Sequence, residues 1–195
     1  MTDHPFVEQW NDDSRHYPLV AEAISRCHRV IDLGCGEGVL SRYLASLGHE
    51  VIGIDSDPSI IASDEENCHF LLADATNLPF GPASCDAVVS VNAIHHTSIR
   101  HVLAEGRRLL APGGKIVIID RYAAKNPLDW WRIPLSYVES FASSFSKRRW
   151  MSSARTCRPS LGYGQTKEEV EQILPGGIWR RLPTVRYMVV WESER

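Results

Sequence analysis

The groups in this chain whose types and spacing could do chemistry are the run Asp32-Leu33-Gly34-Cys35-Gly36-Glu37-Gly38 and two later acids, Asp55 and Asp74. Glycines let the backbone turn tightly and let a ligand come close where a Cβ would block it. A pyrophosphate-binding loop of the dinucleotide type needs its third glycine three residues after the second. Here Val39 holds that position, and Gly38 comes one residue early. Asp32 would also repel a pyrophosphate and attract an ammonium. The loop therefore favours a ligand with an amino group. Asp55 lies 19 residues beyond Gly36, where an acid at a strand end accepts both hydroxyls of a ribose. Asp74 lies 19 residues further on and could accept a hydrogen bond from an adenine amino group. Either acid alone reads equally well as a helix cap or a surface carboxylate. The set, taken with the glycine loop, points to one binding rim.

The apolar pattern supplies a frame that would bring these residues together. Val30–Leu33, Val51–Ile54, Phe70–Ala73, Ala87–Val91 and Ile116–Ile119 read as buried strands. They end at the glycine loop, Asp55, Asp74, Asn92 and Asp120. Val39, Leu40, Tyr43, Leu44 and Leu47 form a helical pattern that Gly48 stops, and Ile99–Leu110 forms another before the turn Ala111-Pro112-Gly113-Gly114. Alternating strands and helices predict right-handed βαβ units in a parallel sheet, with ligands at the carboxyl ends of the strands. The stretch from Asp55 to His69 is short, leaving room for a crossover helix of about two or three turns. Further on, Gln165–Glu169 predicts a helix start capped by Thr166 with Glu169 three residues on, and Pro175-Gly176-Gly177 an end. Ile178–Leu182 and Val185–Trp191 predict an antiparallel hairpin through Pro183-Thr184.

At 195 residues the chain has about one domain's length. Its 44% hydrophobic and 23% charged residues exclude a disordered chain, a collagen-like fibre and a disulfide-stapled miniprotein. Apolar runs such as Ala87–Val91 are too short to span a membrane, and the first residues show no basic start followed by an apolar block. A cytoplasmic protein is expected. Charge is divided unevenly: 8 Lys+Arg against 17 Asp+Glu over residues 1–120, and 13 against 7 over 121–195. The net −3 argues against a general nucleic-acid binder, while the basic C-terminal third could face an anionic substrate, an acidic membrane surface or solvent. Cys27, Cys35, Cys68, Cys85 and Cys157 form no C-x-x-C pair and no zinc spacing, so they read as reduced, mostly buried thiols, and no metal site is expected.

Three segments, VIDLGCGEGVLSRYLASLGHEVIGIDSDPSII, FLLADATNLPFGPASCDAVVSVNAIHH and LLAPGGKIVIID, together resemble the class I S-adenosylmethionine-dependent methyltransferases, near the branch typified by ubiquinone and menaquinone biosynthesis enzymes. The resemblance runs from about Val30 to Asp120, and LPGGIWRRLPTVRYMVVW is similar to the closing hairpin of small bacterial members. It implies an α/β fold, a Rossmann-like doubly wound sheet of seven mostly parallel strands with an antiparallel last strand. It implies a single domain over 1–195: a cap segment (1–28), a cofactor-binding core (29–120), a lid or substrate segment (121–164), and a closing helix and hairpin (165–195). The implied cofactor is S-adenosyl-L-methionine. Gly34, Cys35 and Gly36 would face its methionine part, and Asp32 its ammonium side. Asp55 would take the ribose with Ser56 beside the adenine, and Asp74 and the Ala75 N–H would take the adenine edge. Asn92 and Ala93 would lie beside the methionine portion. Arg15 and Tyr17, in a segment that often folds over the cofactor in this family, could reach its carboxylate.

Methyl transfer from a sulfonium is an in-line displacement helped by a dry, aligned site. A base is needed only where the acceptor must lose a proton. His95 and His96 follow the fourth strand and Asp120 ends the fifth; a histidine is a ready general base, and an acid can orient it. His95 is the nearer to the strand end and is preferred, although in many relatives such a pair packs or holds substrate. Trp130, Trp131, Tyr137, Phe141 and Phe145 suggest an apolar or aromatic acceptor under a lid spanning Leu128–Phe145, or plain core. Lys147-Arg148-Arg149-Trp150 would meet an acidic substrate, a membrane face or solvent. Asn92-Ala93-Ile94-His95 lacks the prolines and aromatic of the base-methylating tetrad, which disfavours DNA. The expected activity is methylation of a small molecule on O, N or C, of secondary-metabolite or quinone type. The alternative is a protein that binds the cofactor without transferring methyl, or that uses it for other chemistry. A nicotinamide oxidoreductase is disfavoured by Val39 and Asp32.

Overall fold

Five buried apolar runs become parallel strands: β1 (Arg29–Leu33), β2 (Glu50–Asp55), β3 (Cys68–Leu72), β4 (Cys85–Val91) and β5 (Leu110–Arg121). The computed structural model describes residues 13–59, 63–125, 159–182 and 185–194. Two more strands, β6 (Ile178–Leu182) and β7 (Arg186–Glu192), complete a seven-stranded sheet in the order β3-β2-β1-β4-β5-β7-β6. β7 runs antiparallel to both of its neighbours. The strand order reverses direction between β1 and β4, and at such a switch point the connections leave on opposite faces and a crevice opens at the carboxyl ends.

Helices cover both faces. α1 (Tyr17–Ala23), preceded by a 3-10 turn over Ser14–His16, and α2 (Val39–Ser46) pack with Val30, Val51, Val89, Val117 and Ile119. α3 (Ile99–Leu109) and α4 (Tyr163–Glu171) pack with Ile31, Val88, Ile116, Ile118 and Val189. Each fully buried aliphatic side chain contributes about 1.5–3 kcal/mol. α2 starts where Gly38 adopts φ +76°, and a Cβ there would strike the Phe70 ring.

Three expectations need correction. The described residues between β2 and β3 hold turns and no helix. Asp57 accepts from the Ser59 N–H and hydroxyl, and Asp64 from the Phe70 N–H, so local side-chain bonds replace helical ones. α4 begins at Tyr163 rather than near Thr166: Gln165 Oε1 accepts from the Gly162 N–H at 3.2 Å, and Thr166 is buried inside the helix. The turn expected over 111–114 lies within β5 as an irregularity, where pairing jumps from Cys85↔Leu110 to Ala87↔Lys115. The expected hairpin forms, while its turn Pro183-Thr184, the Leu128–Phe145 lid with its aromatics, Lys147–Trp150 and Cys157 lie outside the described residues. Among the described residues Cys27, Cys35, Cys68 and Cys85 are free thiols, and no helix is long and apolar enough to cross a membrane.

The β3–β4 connection, which carries Asp74, is clamped to α3. Glu105 Oε1 accepts from the Leu78 N–H at 2.7 Å, and Arg108 binds Glu105 and the carbonyls of Leu78 and Phe80. Glu105→Ala strands a buried N–H and frees Arg108. It is expected to destabilise the fold by about 2–3 kcal/mol in urea unfolding; an unchanged midpoint would show the clamp to be inert.

Candidate functional site

The glycine loop is built by backbone bonds to the neighbouring strand. The Gly34 and Cys35 N–H groups both donate to the Ile54 carbonyl, at 2.8 and 2.9 Å. The Gly36 N–H donates to Asp55 Oδ2 at 2.9 Å, and Asp57 N–H to Asp55 Oδ1 at 3.0 Å. Gly34 has φ +73°, and a Cβ on it would overlap the Cβ of Ala93, so the loop touches the end of β4. Gly36 has φ +54°, and a Cβ there would meet nothing within 4 Å. One glycine permits a close backbone approach, and the other borders open space. Cys35 beside them is half-buried, and burial drives its thiol well above the usual range, leaving it unreactive.

The next two acids stand at their strand ends. Asp55 is half-buried with its carboxylate at the rim, and Ser56 beside it is exposed. Asp74 is exposed, with its Oδ1 accepting from the Thr76 N–H and hydroxyl, both at 2.8 Å; those bonds hold its pKa below the ordinary carboxylate value. The half-buried Ala75 N–H makes no hydrogen bond among the described residues.

Asn92 ends β4 with φ +58°, a conformation asparagine tolerates better than most residues. Its N–H donates to the Ile119 carbonyl, while its Oδ1 is buried and has no partner among the described residues. Two residues on, a 3-10 turn over Ile94–His96 delivers His95 to Asp120. Asp120 grips it twice, accepting from the His95 N–H at 2.9 Å and lying 2.5 Å from Nδ1. A carboxylate only accepts, so Nδ1 carries a proton, and in the neutral ring Nε2 is the basic position. The pair is dry, with side chains 6% and 1% exposed. His96 is exposed, its ring 4.1 Å from that of His95, and partial burial followed by the neighbouring imidazole lowers its pKa.

Residues 31–118 match the family model described as a methyltransferase domain. The likeness to methyltransferases is carried by that core of the chain. A methyltransferase of Synechocystis, itself uncharacterized, is 32% identical over 58% of this chain and 56% of its own length, so the chain spans little more than half of that relative. An uncharacterized methyltransferase of Mycobacterium tuberculosis is 27% identical over 95% of this chain and 98% of its own. A fission-yeast relative, named an 18S rRNA (guanine-N(7))-methyltransferase, is 39% identical over 33% of this chain and 26% of its own. The 1,6-didemethyltoxoflavin-N1-methyltransferase of Burkholderia thailandensis, solved with that compound and S-adenosylhomocysteine, shares the fold at a TM-score of 0.66 and 16% identity, over 100% of this chain and 80% of that one.

The residues at this rim fit S-adenosylmethionine, the cofactor that the sequence resemblance implies. Open space borders Gly36, Asp55 and Asp74 offer carboxylates, and Ala75 N–H and Asn92 Oδ1 lack partners among the described residues. Asp32 stands apart from the other acids. It lies beneath the loop, 1% exposed, accepting from the Ser41 hydroxyl of α2 at 2.7 Å. Desolvation raises its pKa to about 7, only partly opposed by Ser41. Tyr17 is buried in the α1–α2 core, its ring 6.1 Å from Tyr43, and Arg15 is half-buried on the preceding 3-10 turn. Sequence reasoning missed Ser41, Asp13 and Arg186. Arg186 was detectable, because it shares the β7 face with Met188 and Val190, where an arginine needs a partner. Among the described residues no group of three or more His, Cys, Asp or Glu side chains could hold a metal ion.

The raised pKa of Asp32 has a definite sign. The folded state holds its proton more tightly than the unfolded chain, so its contribution to stability is present below pH 4 and lost as pH rises through about 7. Asp32→Asn is therefore expected to stabilise the unliganded protein at pH 8, by up to about 4 kcal/mol. The advantage should vanish near pH 4, as read by chemical denaturation at both pH values.

Proposed function

We propose that this protein is an S-adenosylmethionine-dependent methyltransferase that methylates a small-molecule acceptor at a group that must lose a proton, such as a phenol, an enol or another hydroxyl. The observation that supports this is the dry His95–Asp120 pair, whose Nε2 lone pair is the basic position. A catalytic base has no use where the acceptor already offers a free lone pair, so its construction favours a protonated acceptor.

In this reading Asp55 receives the ribose hydroxyls, with Ser56 beside the adenine. Asp74 accepts from the adenine amino group, and Ala75 N–H donates to a ring nitrogen. Gly34, Cys35, Gly36, Asn92 and Ala93 border the amino-acid part, and Arg15 meets its carboxylate. Asp32 acts from below the loop, its negative form favoured by a bound ammonium. The cofactor supplies an electrophilic methyl group on a sulfonium. His95 takes the acceptor proton on Nε2, and Asp120 balances the imidazolium charge that results. Exclusion of water strengthens that ion pair and keeps the reacting groups aligned. His96 contacts the acceptor or packs against His95. An apolar or aromatic acceptor of secondary-metabolite or quinone type, met in the cytoplasm, agrees with this chemistry.

Purified protein incubated with labelled S-adenosylmethionine and a panel of phenols and hydroquinones should form S-adenosylhomocysteine. His95→Ala should lower turnover by about 100-fold or more, with cofactor affinity kept. A small change would remove the base from the scheme. Asp55→Ala should abolish cofactor binding in calorimetry; binding equal to wild type would reject the cofactor assignment itself.

A further inference from the structure

An ion pair outside the proposed catalytic residues, buried on its arginine side, ties the segment before α1 to β7. Arg186, the first residue of β7, is 2% exposed, and its Nη1 lies 2.5 Å from Oδ1 of Asp13, across 173 residues of chain. A guanidinium so far from water holds its partner in one place, because the charge has no solvent to turn to. The other oxygen of Asp13, Oδ2, lies 3.5 Å from the Asn92 amide nitrogen. A carboxylate accepts and does not donate, so Nδ2 must be the atom turned toward Asp13. That leaves Asn92 Oδ1 facing the other way, buried and with no partner among the described residues. The backbone at Asn92 is held as well, by its N–H bond to Ile119 and its φ of +58°. Asn92 adjoins Ala93, which touches Gly34, so the unpartnered oxygen sits where the glycine loop meets β4.

We propose that Asp13, anchored by Arg186, orients the Asn92 amide so that its Oδ1 receives the ammonium of the cofactor's amino-acid end. Asn92 is then a binding residue, and Asp13 and Arg186 are positioning residues that act through it. The proposal rests on the cofactor reading above. A buried amide oxygen wants a donor, and an ammonium is the strongest donor that reading brings to this side of the crevice. The nucleoside end, served by Asp55, Asp74 and Ala75, is indifferent to the arrangement.

That difference gives the test. Calorimetric titration compares S-adenosylhomocysteine with 5′-methylthioadenosine, which keeps the nucleoside and lacks the amino-acid end. Arg186→Met should weaken S-adenosylhomocysteine by roughly tenfold or more and leave methylthioadenosine unchanged; Arg186→Lys should recover part of the loss. Asn92→Gly keeps the positive φ, leaves the ion pair intact and removes the amide. It should show the same selective loss, and it decides the matter if Arg186→Met does not fold. Adding Asn92→Gly to Arg186→Met should cost nothing further for S-adenosylhomocysteine, because both act through one contact. An Asn92→Gly protein that binds S-adenosylhomocysteine like wild type, or equal losses for the two ligands, would overturn the proposal. Wild-type protein that binds neither ligand would instead overturn the cofactor reading on which it stands.

Discussion

No side chain separates Gly34 from Ala93, and the architecture of the crevice depends on that closeness. β1 and β4 are neighbours at the point where the strand order reverses, and their connections leave on opposite faces. A Cβ at Gly34 would push the two strand ends apart. Without one, the loop after β1 and the segment Asn92–His95 share one short rim. A binding loop and the segment that carries a candidate base are thereby brought side by side, with Gly34 against the Ala93 methyl. The same constraint explains why the rim is crowded with carboxylates that all do different physical work. Asp55 holds the N–H groups of Gly36 and Asp57, Asp32 is sealed under α2, and Asp74 is pinned by Thr76. Asp120 is spent on orienting one imidazole.

Most of this frame was legible in the amino-acid order. Near-continuous apolar runs marked four strands to within two residues and the last part of the fifth, and the polar residue ending each run marked the rim. The helical spacing over 39–47 and the stop at Gly48 placed α2, and the position of His95 after β4 with Asp120 near the end of β5 anticipated their pairing. Local chemistry resisted reading. Between β2 and β3, Asp57 and Asp64 turn their oxygens onto nearby backbone N–H groups, and no periodicity announces that choice. The cap of α4 went to Gly162 because Gln165 reaches back to it, a competitor to Thr166 that spacing alone does not rank.

Long-range pairing was less visible still. That Asp32 would be capped by Ser41 could be guessed from their places on adjoining elements, but not the degree to which α2 excludes water from it. The bond between Asp13 and Arg186 depends on how two distant ends of the topology meet, and sequence carries only the hint of an arginine among apolar neighbours. The sites that escaped are those where burial, not residue type, decides what a charged group does.

β7 also has a bearing on how the molecule comes into being. It fills the slot beside β5 and pairs Lys115 with Glu192, residues 77 positions apart. Until that ribbon arrives from the ribosome, the flank of β5 offers a row of bare amides and carbonyls beside Ile116–Ile119, the kind of template that neighbouring nascent chains can zip onto. Cellular yield of this protein therefore hinges on how quickly a late-synthesised strand closes an early-synthesised edge, a matter for chaperones and translation speed more than for the native state's free energy.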